Sequence, residues 1–371
     1  MSEWQKVKLG EICSIKTGKL DSNAAVENGK YPFFTCDPKT LAINTWAYDT
    51  EAILLAGNNA SGNYTAKYYM GKFNAYQRTY IIESLDKNVS NVRYLTYAMN
   101  QQLQLLKVMS SGSTTKFITM KMLSPLVIPL PALPTQHRIA TILSRYDSLI
   151  ENYQKQIKLL EEAAQRLYKE WFIDLHFPGH ENTNIIDGVP EGWEKKKIVD
   201  VVVYYDKQRK PLSSMQRMNM EKIYPYYGAA ALMDYVDSYL FDGIYLLLGE
   251  DGTVITPDNF PVLQYVWGKF WVNNHAHVLR GKDGISTEFL YSMFKEMPIA
   301  DVVTGAAQPK ISQGRLSDKK ILMPSLKLIQ EWSCIAKHYF GRIRMITEQI
   351  RLLTEARDRL LPKLMSGEIE V

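Results

Sequence analysis

The chain has 371 residues, 46% of them hydrophobic, and its 44 Lys and Arg against 39 Asp and Glu give a formal net charge of +5. This composition is that of a globular protein longer than one ordinary domain, and the mild positive charge permits a nucleic-acid partner without requiring one. Three cysteines without a CxxC pair argue against a disulfide framework or a structural zinc. The polar beginning lacks a signal-peptide pattern and no apolar run is long enough to span a bilayer, so we predict a cytoplasmic protein without membrane contact.

The first third of the chain alternates short apolar runs with polar turns. Two of these runs predict strands, AILLAG (52–57) and RTYIIES (78–84). NVRYLTYAMNQQLQLLKVM (91–109) predicts an amphipathic helix, and the proline-rich LSPLVIPLPALP (123–134) predicts a strand with a rigid exit. The sequence therefore predicts a mixed α and β domain over residues 1–133.

A long helix is predicted over residues 134–172, because its apolar positions alternate by four and three residues. This a/d spacing persists for more than four heptads, which favours contact with another helix. Packing of the helix on its own domain is the alternative. The predicted seam consists of Ile139, Leu143, Tyr146, Ile150, Tyr153, Ile157, Leu160 and Leu167.

The rest of the chain has the same order of parts. Residues 173–192 are rich in Gly, Pro, Asn and Asp and predict a linker. A second mixed domain is predicted over 193–326, with strands at GIYLLLGEDG and HAHVLRG and a helix at STEFLYSMFKEM. A distal helix is predicted over 327–371, and its seam is interrupted by Arg357. That seam consists of Ile343, Ile346, Ile350, Leu353, Leu360 and Leu364.

The two halves are copies of one unit. Eight identities between the long helices, from Gln156/Gln349 to Leu167/Leu360, are all 193 positions apart, and YPFF (31–34) matches YPYY (224–227) at the same distance. Between these anchors the halves differ almost completely. We predict an α+β fold of two mixed α/β globular domains, each followed by a long helix, with the two helices paired as an antiparallel coiled coil of about 50 Å.

The sequence offers little support for catalysis. It has no P-loop, no GxGxxG and no (D/N)PP(Y/F) motif, and its six histidines do not form a metal cluster. The DxK of Asp318–Lys320 lacks a suitably spaced Pro-Asp, and GEDG (249–252) is more typical of a hairpin turn than of an acidic site. We therefore predict no catalytic residue and no metal site.

Three stretches carry a resemblance to a known family. PEGWEKKKIVDV opens the second domain, TGAAQPKIS followed by ILMPSL closes it, and the helix beginning QHRIATILSRYDSLIENYQ follows the first. This order resembles the specificity subunits of Type I restriction-modification systems. One departure is Thr135, which stands where the family usually has an acidic residue.

The resemblance implies a non-catalytic subunit that binds double-stranded DNA. Each globular part would be a target recognition domain reading half of an asymmetric bipartite sequence. The helices would space the domains and dock two adenine methyltransferase subunits, with restriction and translocase subunits joining them. S-adenosylmethionine, ATP and Mg²⁺ would bind to those partners, and this chain would bind no cofactor.

DNA contacts are predicted in loops that combine basic, amide and hydroxyl groups, because such groups reach phosphates and base edges. The first domain offers Lys16, Lys19, Asn58, Asn59, Asn63, Tyr64, Ser113, Thr114 and Lys116. The second offers Lys207, Arg209, Lys210, Asn273, Asn274, His275, Gln308 and Lys310. Two alternatives remain open: an enzyme that itself cleaves or modifies DNA, and a coiled-coil scaffold that does not bind DNA.

Overall fold

The computed structural model describes residues 4–59, 64–109, 116–305 and 308–371. The chain divides into two compact units. One comprises Met1–Asn152 with Ile350–Val371, and the other comprises Tyr153–Gln349. Each unit therefore contains one globular domain and a stretch of each long helix.

The first globular domain is built around a six-stranded sheet with one helix packed on it. Its elements in chain order are β1 Gln5–Lys8, α1 Leu9–Ile12, β2 Cys13–Thr17, β3 Tyr31–Phe34, β4 Leu41–Ile43, β5 Tyr48–Ala56, β6 Asn58–Asn59, β7 Ala66–Ala75, β8 Thr79–Ser84, α2 Val92–Met109, β9 Lys116–Phe117, α3 Met120–Leu123 and β10 Val127–Leu130. The sheet order is β2-β8-β5-β7-β3-β4, and β3 pairs with β7 in parallel while the other neighbours are antiparallel. The predicted strands at 52–57 and 78–84 and the predicted helix at 91–109 are confirmed as β5, β8 and α2.

The long helix α4 covers Leu133–Phe172 and leads into the second domain. The elements that follow are β11 Ile185–Ile186, β12 Val189–Pro190, β13 Glu194–Lys197, α5 Ile198–Val201, β14 Val202–Tyr204, α6 Ser214–Met218, β15 Tyr224–Tyr227, β16 Leu232–Val236, β17 Phe241–Gly249, β18 Leu263–Val272, β19 Ala276–Gly281, α7 Thr287–Lys295, β20 Val303–Thr304, β21 Lys310–Ile311, α8 Gln313–Asp318, β22 Lys320–Met323 and α9 Leu326–Ser366. The predicted strands and helix of this half are confirmed as β17, β19 and α7.

The second sheet repeats the first strand for strand. Its order is β14-β19-β17-β18-β15-β16, and β15 pairs with β18 in parallel as β3 does with β7. The match extends to individual residues, since Gly71 opposes Thr50 in the first sheet and Gly268 opposes Gly243 in the second. The halves have therefore kept one backbone frame where their sequences differ.

Each domain begins and ends on a two-stranded antiparallel pair. β1 pairs with β10 from Gln5↔Leu130 to Lys8↔Val127, and β13 pairs with β22 from Glu194↔Met323 to Lys197↔Lys320. The chain thus enters and leaves each domain at neighbouring strands.

Every residue of the two predicted seams is buried or half-buried. In the first unit, Asp147 of α4 pairs with Arg357 of α9 at 2.7 Å, and Ile139 and Leu143 share a hydrophobic cluster with Leu364. In the second unit, α4 and α9 contribute to one aromatic cluster; the ring centroids of Tyr168 and Trp332 lie 5.8 Å apart. Stretches of the two helices therefore pack together within each unit, and pairing along their full length stays a prediction.

Two expectations from the sequence differ from the structure. The GEDG stretch is not a tight hairpin turn, because Glu250 begins a connection that reaches β18 only at Leu263. The linker 173–192 is more ordered than a loop: it holds the β11–β12 hairpin, whose turn residues Asp187 and Gly188 have φ of 50° and 76°, as a type I′ turn requires. Within the described part of the chain, no helix has both the length and the apolar character needed to cross a membrane.

Candidate functional site

The loop after β5 and the loop before β10 meet in the first domain. β6 pairs with β9, so that Asn58 opposes Phe117 and Asn59 opposes Lys116. The Ile118 N–H also donates to the Gly57 carbonyl at 2.9 Å. Three predicted DNA contacts, Asn58, Asn59 and Lys116, therefore lie together although they are far apart in sequence.

Two further segments join this group. The Gly18 N–H donates to the Thr79 carbonyl at 3.1 Å, and the Gln77 N–H donates to the Leu20 carbonyl at 2.8 Å. The Gly57 N–H in turn donates to the Arg78 carbonyl at 2.9 Å. The segment that carries Lys19 is thus linked through the β7–β8 connection to the loop that carries the two asparagines.

The ammonium group of Lys16 contacts other side chains of the first domain but remains partly exposed. Its ammonium lies 2.5 Å from a carboxylate oxygen of Glu83 and 5.3 Å from the ring centroid of Tyr48. Burial tends to raise the pKa of Glu83, but hydrogen bonds from Lys16, Thr50 and Ser14 and the charge of Lys16 lower that pKa overall. The Lys16 side chain remains 46% exposed, so its charge is available at the surface but partly neutralised.

A buried tyrosine, Tyr80, holds the loop before β10 in place. The Tyr80 hydroxyl donates to the Ile118 carbonyl at 2.9 Å, and burial raises the pKa of Tyr80. Tyr64 is only 5% exposed, and among the described residues neither its hydroxyl nor the buried Asn58 Oδ1 has a hydrogen-bond partner. Asn63, Ser113 and Thr114 lie outside the described residues.

The second domain has the same meeting of loops with different side chains. Asp251 forms a bridge with Lys310, and the Ile311 N–H donates to the Glu250 carbonyl at 2.9 Å, as Ile118 does to Gly57. Lys310 is ion-paired with Asp251 at 3.2 Å, and the exposed Gln308 precedes it. Acidic groups therefore stand where the first domain has a glycine and an asparagine.

His277 takes the place of Tyr80. Its Nε2 donates to the Ile311 carbonyl at 2.8 Å, and its Nδ1 lies 2.6 Å from Asp206. Glu250 completes a group of three potential metal ligands, but the guanidinium of Arg209 lies 2.6 Å from Glu250 and 3.6 Å from Asp206. Both ring nitrogens already face oxygen acceptors and an arginine supplies the positive charge, so this cluster is a closed network rather than a metal centre.

The remaining predicted contacts of the second domain divide by exposure. Asn274, Lys207 and Lys210 are exposed, and the His275 side chain is 49% exposed. Asn273 is only 4% exposed, and its Oδ1 accepts from the His275 N–H at 2.8 Å. Arg209 is 12% exposed and is engaged with Glu250. The last two side chains hold the loops in place and do not face outward.

Comparisons with known proteins decide the family. The family model described as "Type I restriction modification DNA specificity domain" matches this chain twice, over residues 1–162 and 190–351. The chain belongs to this family.

Similar proteins cover most of the chain. It is 26% identical to the Type I restriction enzyme EcoDI specificity subunit of Escherichia coli over 99% of this chain and 89% of that protein. It is 27% identical to the MjaIX specificity subunit of Methanocaldococcus jannaschii over 77% of this chain and 70% of that protein. A crystal structure of the Type I restriction-modification S subunit from M. genitalium matches the fold with a TM-score of 0.62 at 19% identity, over 97% of this chain and 96% of that one.

Specificity subunits are the non-catalytic members of these systems. In the structure, Asp318 of the nuclease-like DxK sequence forms an ion pair and is not part of a catalytic cluster of the described residues. Asp318 is ion-paired with Lys197 at 2.8 Å, and Lys319 with Asp301 at 2.7 Å. The acidic residue of the motif is therefore engaged in an ion pair at the end of α8.

The repeat reveals candidate site residues that sequence reasoning missed in this specificity subunit. The connection 273–275 between β18 and β19 corresponds to 76–78 between β7 and β8, which adds Gln77 and Arg78 to the first domain. Likewise Glu250 and Asp251 are added to the second domain. The signal was available: GKF recurs at 71–73 and 268–270, but those residues are 197 positions apart, and a search at 193 positions passes over them.

Proposed function

We propose that the chain reads an asymmetric, bipartite DNA sequence, with one surface on each globular domain. The observation that carries the proposal is that both domains bring the same four segments together and display different side chains there. One frame that presents two chemistries suits a target whose two halves differ. The proposed contacts are Lys16, Lys19, Asn58, Asn59 and Lys116 in the first domain, and Lys207, Lys210, Asn274, His275, Gln308 and Lys310 in the second.

The chemistry of the two surfaces supports different base preferences. The side-chain amide of Asn59 suits the paired donor and acceptor of adenine in the major groove, whereas the Oδ1 of Asn58 is buried. The carboxylate of Asp251 suits the amino group of cytosine, although Lys310 and His275 compete for it. Lysines at the rim suit phosphates and would supply affinity that does not depend on sequence.

The long helices support docking of two like partners. Leu159 and Leu352 occupy equivalent repeat positions, are 63% and 50% exposed, and lie outside the seams. Packing explains identities at buried positions, but it does not explain an exposed leucine kept in both copies. In the second unit, Leu159 lines a groove of about 370 Å³ with Ala163 and Arg166, both of which are also repeated in α9. We assign these surfaces to two adenine methyltransferase subunits, which would bring S-adenosylmethionine, while restriction subunits would bring ATP and Mg²⁺.

Reconstitution with a methyltransferase subunit tests the proposal. The purified chain, the cognate methyltransferase subunit and S-adenosylmethionine are mixed with genomic DNA, and modified adenines are mapped by sequencing. We expect methylation of one bipartite motif in the full mixture and none when either protein is left out. Methylation or cleavage by the chain alone would contradict the proposal. The absence of salt-dependent DNA binding in the full mixture would also contradict it.

Exchange of one domain tests the division of labour. A chimera in which residues 1–133 come from a relative should change one half of the methylated motif and leave the other half intact. If both halves change, each domain does not read its own half-site.

A further inference from the structure

Arg78 lies where the segments of the first reading surface meet. It ends the three-residue connection between β7 and β8, and its carbonyl accepts from the Gly57 N–H at 2.9 Å. The preceding residue, Gln77, is bonded through its N–H to Leu20. The backbone on which the Arg78 side chain stands is therefore fixed from two sides.

The Arg78 side chain is exposed and lies over an aromatic ring. Its guanidinium carbon lies 5.3 Å from the ring centroid of Phe117, which is itself 36% exposed. Both residues line a cleft of about 340 Å³ together with Gly57 and Thr119. A guanidinium stacked on a ring by its face keeps the N–H groups of its edge free to donate.

Unlike several other arginines of the chain, Arg78 has no acidic partner among the described residues. Arg209, Arg217 and Arg357 are paired with Glu250, Asp234 and Asp147 at 2.6, 3.1 and 2.7 Å. Across residues 4–59, 64–109, 116–305 and 308–371, Arg78 forms no ion pair. Its charge and its donors are therefore not consumed within the domain.

The second domain carries different chemistry at the same place. His275 corresponds to Arg78 and lies 3.6 Å from a carboxylate oxygen of Asp251. Lys310 corresponds to Phe117 and is paired with the same aspartate. An arginine at this position is thus a feature of the first domain and would distinguish its half-site from the other.

We propose that Arg78 reads a guanine in the first half-site, donating two hydrogen bonds to its O6 and N7 in the major groove, and that Phe117 holds the guanidinium in the required plane. This inference rests on the proposed DNA-reading function. An arginine fork matches the two acceptors of guanine, whereas a lysine offers one rotating point charge. Preorganisation by the ring lowers the entropy lost when the fork binds.

The test uses the chain assembled with its methyltransferase subunit, and the readout is the set of methylated motifs together with binding to duplexes that vary at each position. Arg78→Lys should relax one guanine position in the first half-site, with discrimination falling by roughly 10- to 100-fold, as for loss of one bidentate contact. Phe117→Leu should relax the same position more weakly. His275→Ala should affect only the second half-site, and Lys8→Gln, which removes an exposed charge on β1, should leave the motif unchanged.

Two outcomes would overturn the inference while the parent chain still reads its motif. In the first, Arg78→Lys behaves like the parent and Arg78→Gln weakens binding to all sequences equally, which would make Arg78 a phosphate contact. In the second, neither substitution affects DNA binding. If the parent chain itself directs no bipartite methylation, the proposed function fails, and that result is separate from either outcome.

Discussion

Tyr80 and His277 occupy equivalent positions, so replacing each by phenylalanine removes different hydrogen bonds from the same frame. Tyr80→Phe removes only the hydroxyl that donates to the Ile118 carbonyl at 2.9 Å. Loss of a hydrogen bond that leaves a buried acceptor unpaired costs about 1–3 kcal/mol. The change should therefore destabilise the first domain modestly.

His277→Phe should cost more, because it removes two hydrogen bonds and one of them serves a carboxylate. The His277 side chain is 1% exposed and the Asp206 side chain 8% exposed, so water does not readily replace the lost partner. Asp206 would keep the Val278 N–H at 2.8 Å and Arg209 at 3.6 Å. Removing one member of a buried charged network costs about 3–5 kcal/mol, roughly 2 kcal/mol more than the tyrosine change.

Hydrogen exchange measured by mass spectrometry compares the two changes, since it reports the opening free energy of each segment separately. The peptides that contain β8 and β19 are the relevant ones. Adding Asp206→Asn to His277→Phe should recover part of the loss, because a neutral amide is less costly to leave buried. Equal effects of the two phenylalanine substitutions, or no recovery in the double variant, would show that the Asp206 charge does not depend on His277.

Three further predictions follow from charged groups near the helices and the first reading surface. Arg357→Ala and Asp147→Asn should show a coupling energy of about 1 kcal/mol in a double-mutant cycle of local stability, because the two side chains are only 28% and 39% exposed. Additive effects of the two substitutions would refute this prediction. Glu83→Gln removes the ion pair of Lys16, so binding to unrelated duplexes should tighten. The slope of log K against log salt concentration should steepen by up to about one, and an unchanged slope would argue against a DNA contact at Lys16. The pKa of Glu83 is lowered in the folded chain, so the ionised carboxylate should stabilise the fold fully above about pH 4.3, and this stabilisation should disappear as pH falls through the pKa of the folded state. An acid titration of the stability of Glu83→Gln should lack this loss.

The long helices were predictable because their sequences retain both the heptad periodicity and the internal repeat. Seam residues such as Leu143 and Ile346 must remain apolar to stay buried, so the sequence keeps the pattern. The sheets were harder to match between halves. The connection after β17 is longer than the one after β5, which shifts the repeat from 193 to 197 positions at Gly71/Gly268 and hides the common strand order.

The proposed DNA-reading surfaces were predictable only in part. Gly-rich and amide-rich loops indicated Asn58, Asn59 and His275, and the structure brings the first two beside Lys116. Burial could not be foreseen for Tyr64 or Asn273, because a polar side chain in a loop faces inward or outward according to partners that come from distant segments. Arg78 was missed for the same reason: its significance depends on stacking against Phe117, which is 39 positions away.

The paired strands that open and close each domain have a consequence for how such a chain changes over generations. Because β1 lies against β10 and β13 against β22, both ends of a domain meet at one short ladder of backbone hydrogen bonds. Those bonds do not depend on side chains, so a foreign domain that keeps the two strands would fit the same junction. Two crossovers in the gene, one on each side of the ladder, would install a new half-site preference in a single event and leave intact the helices with the leucines proposed for docking.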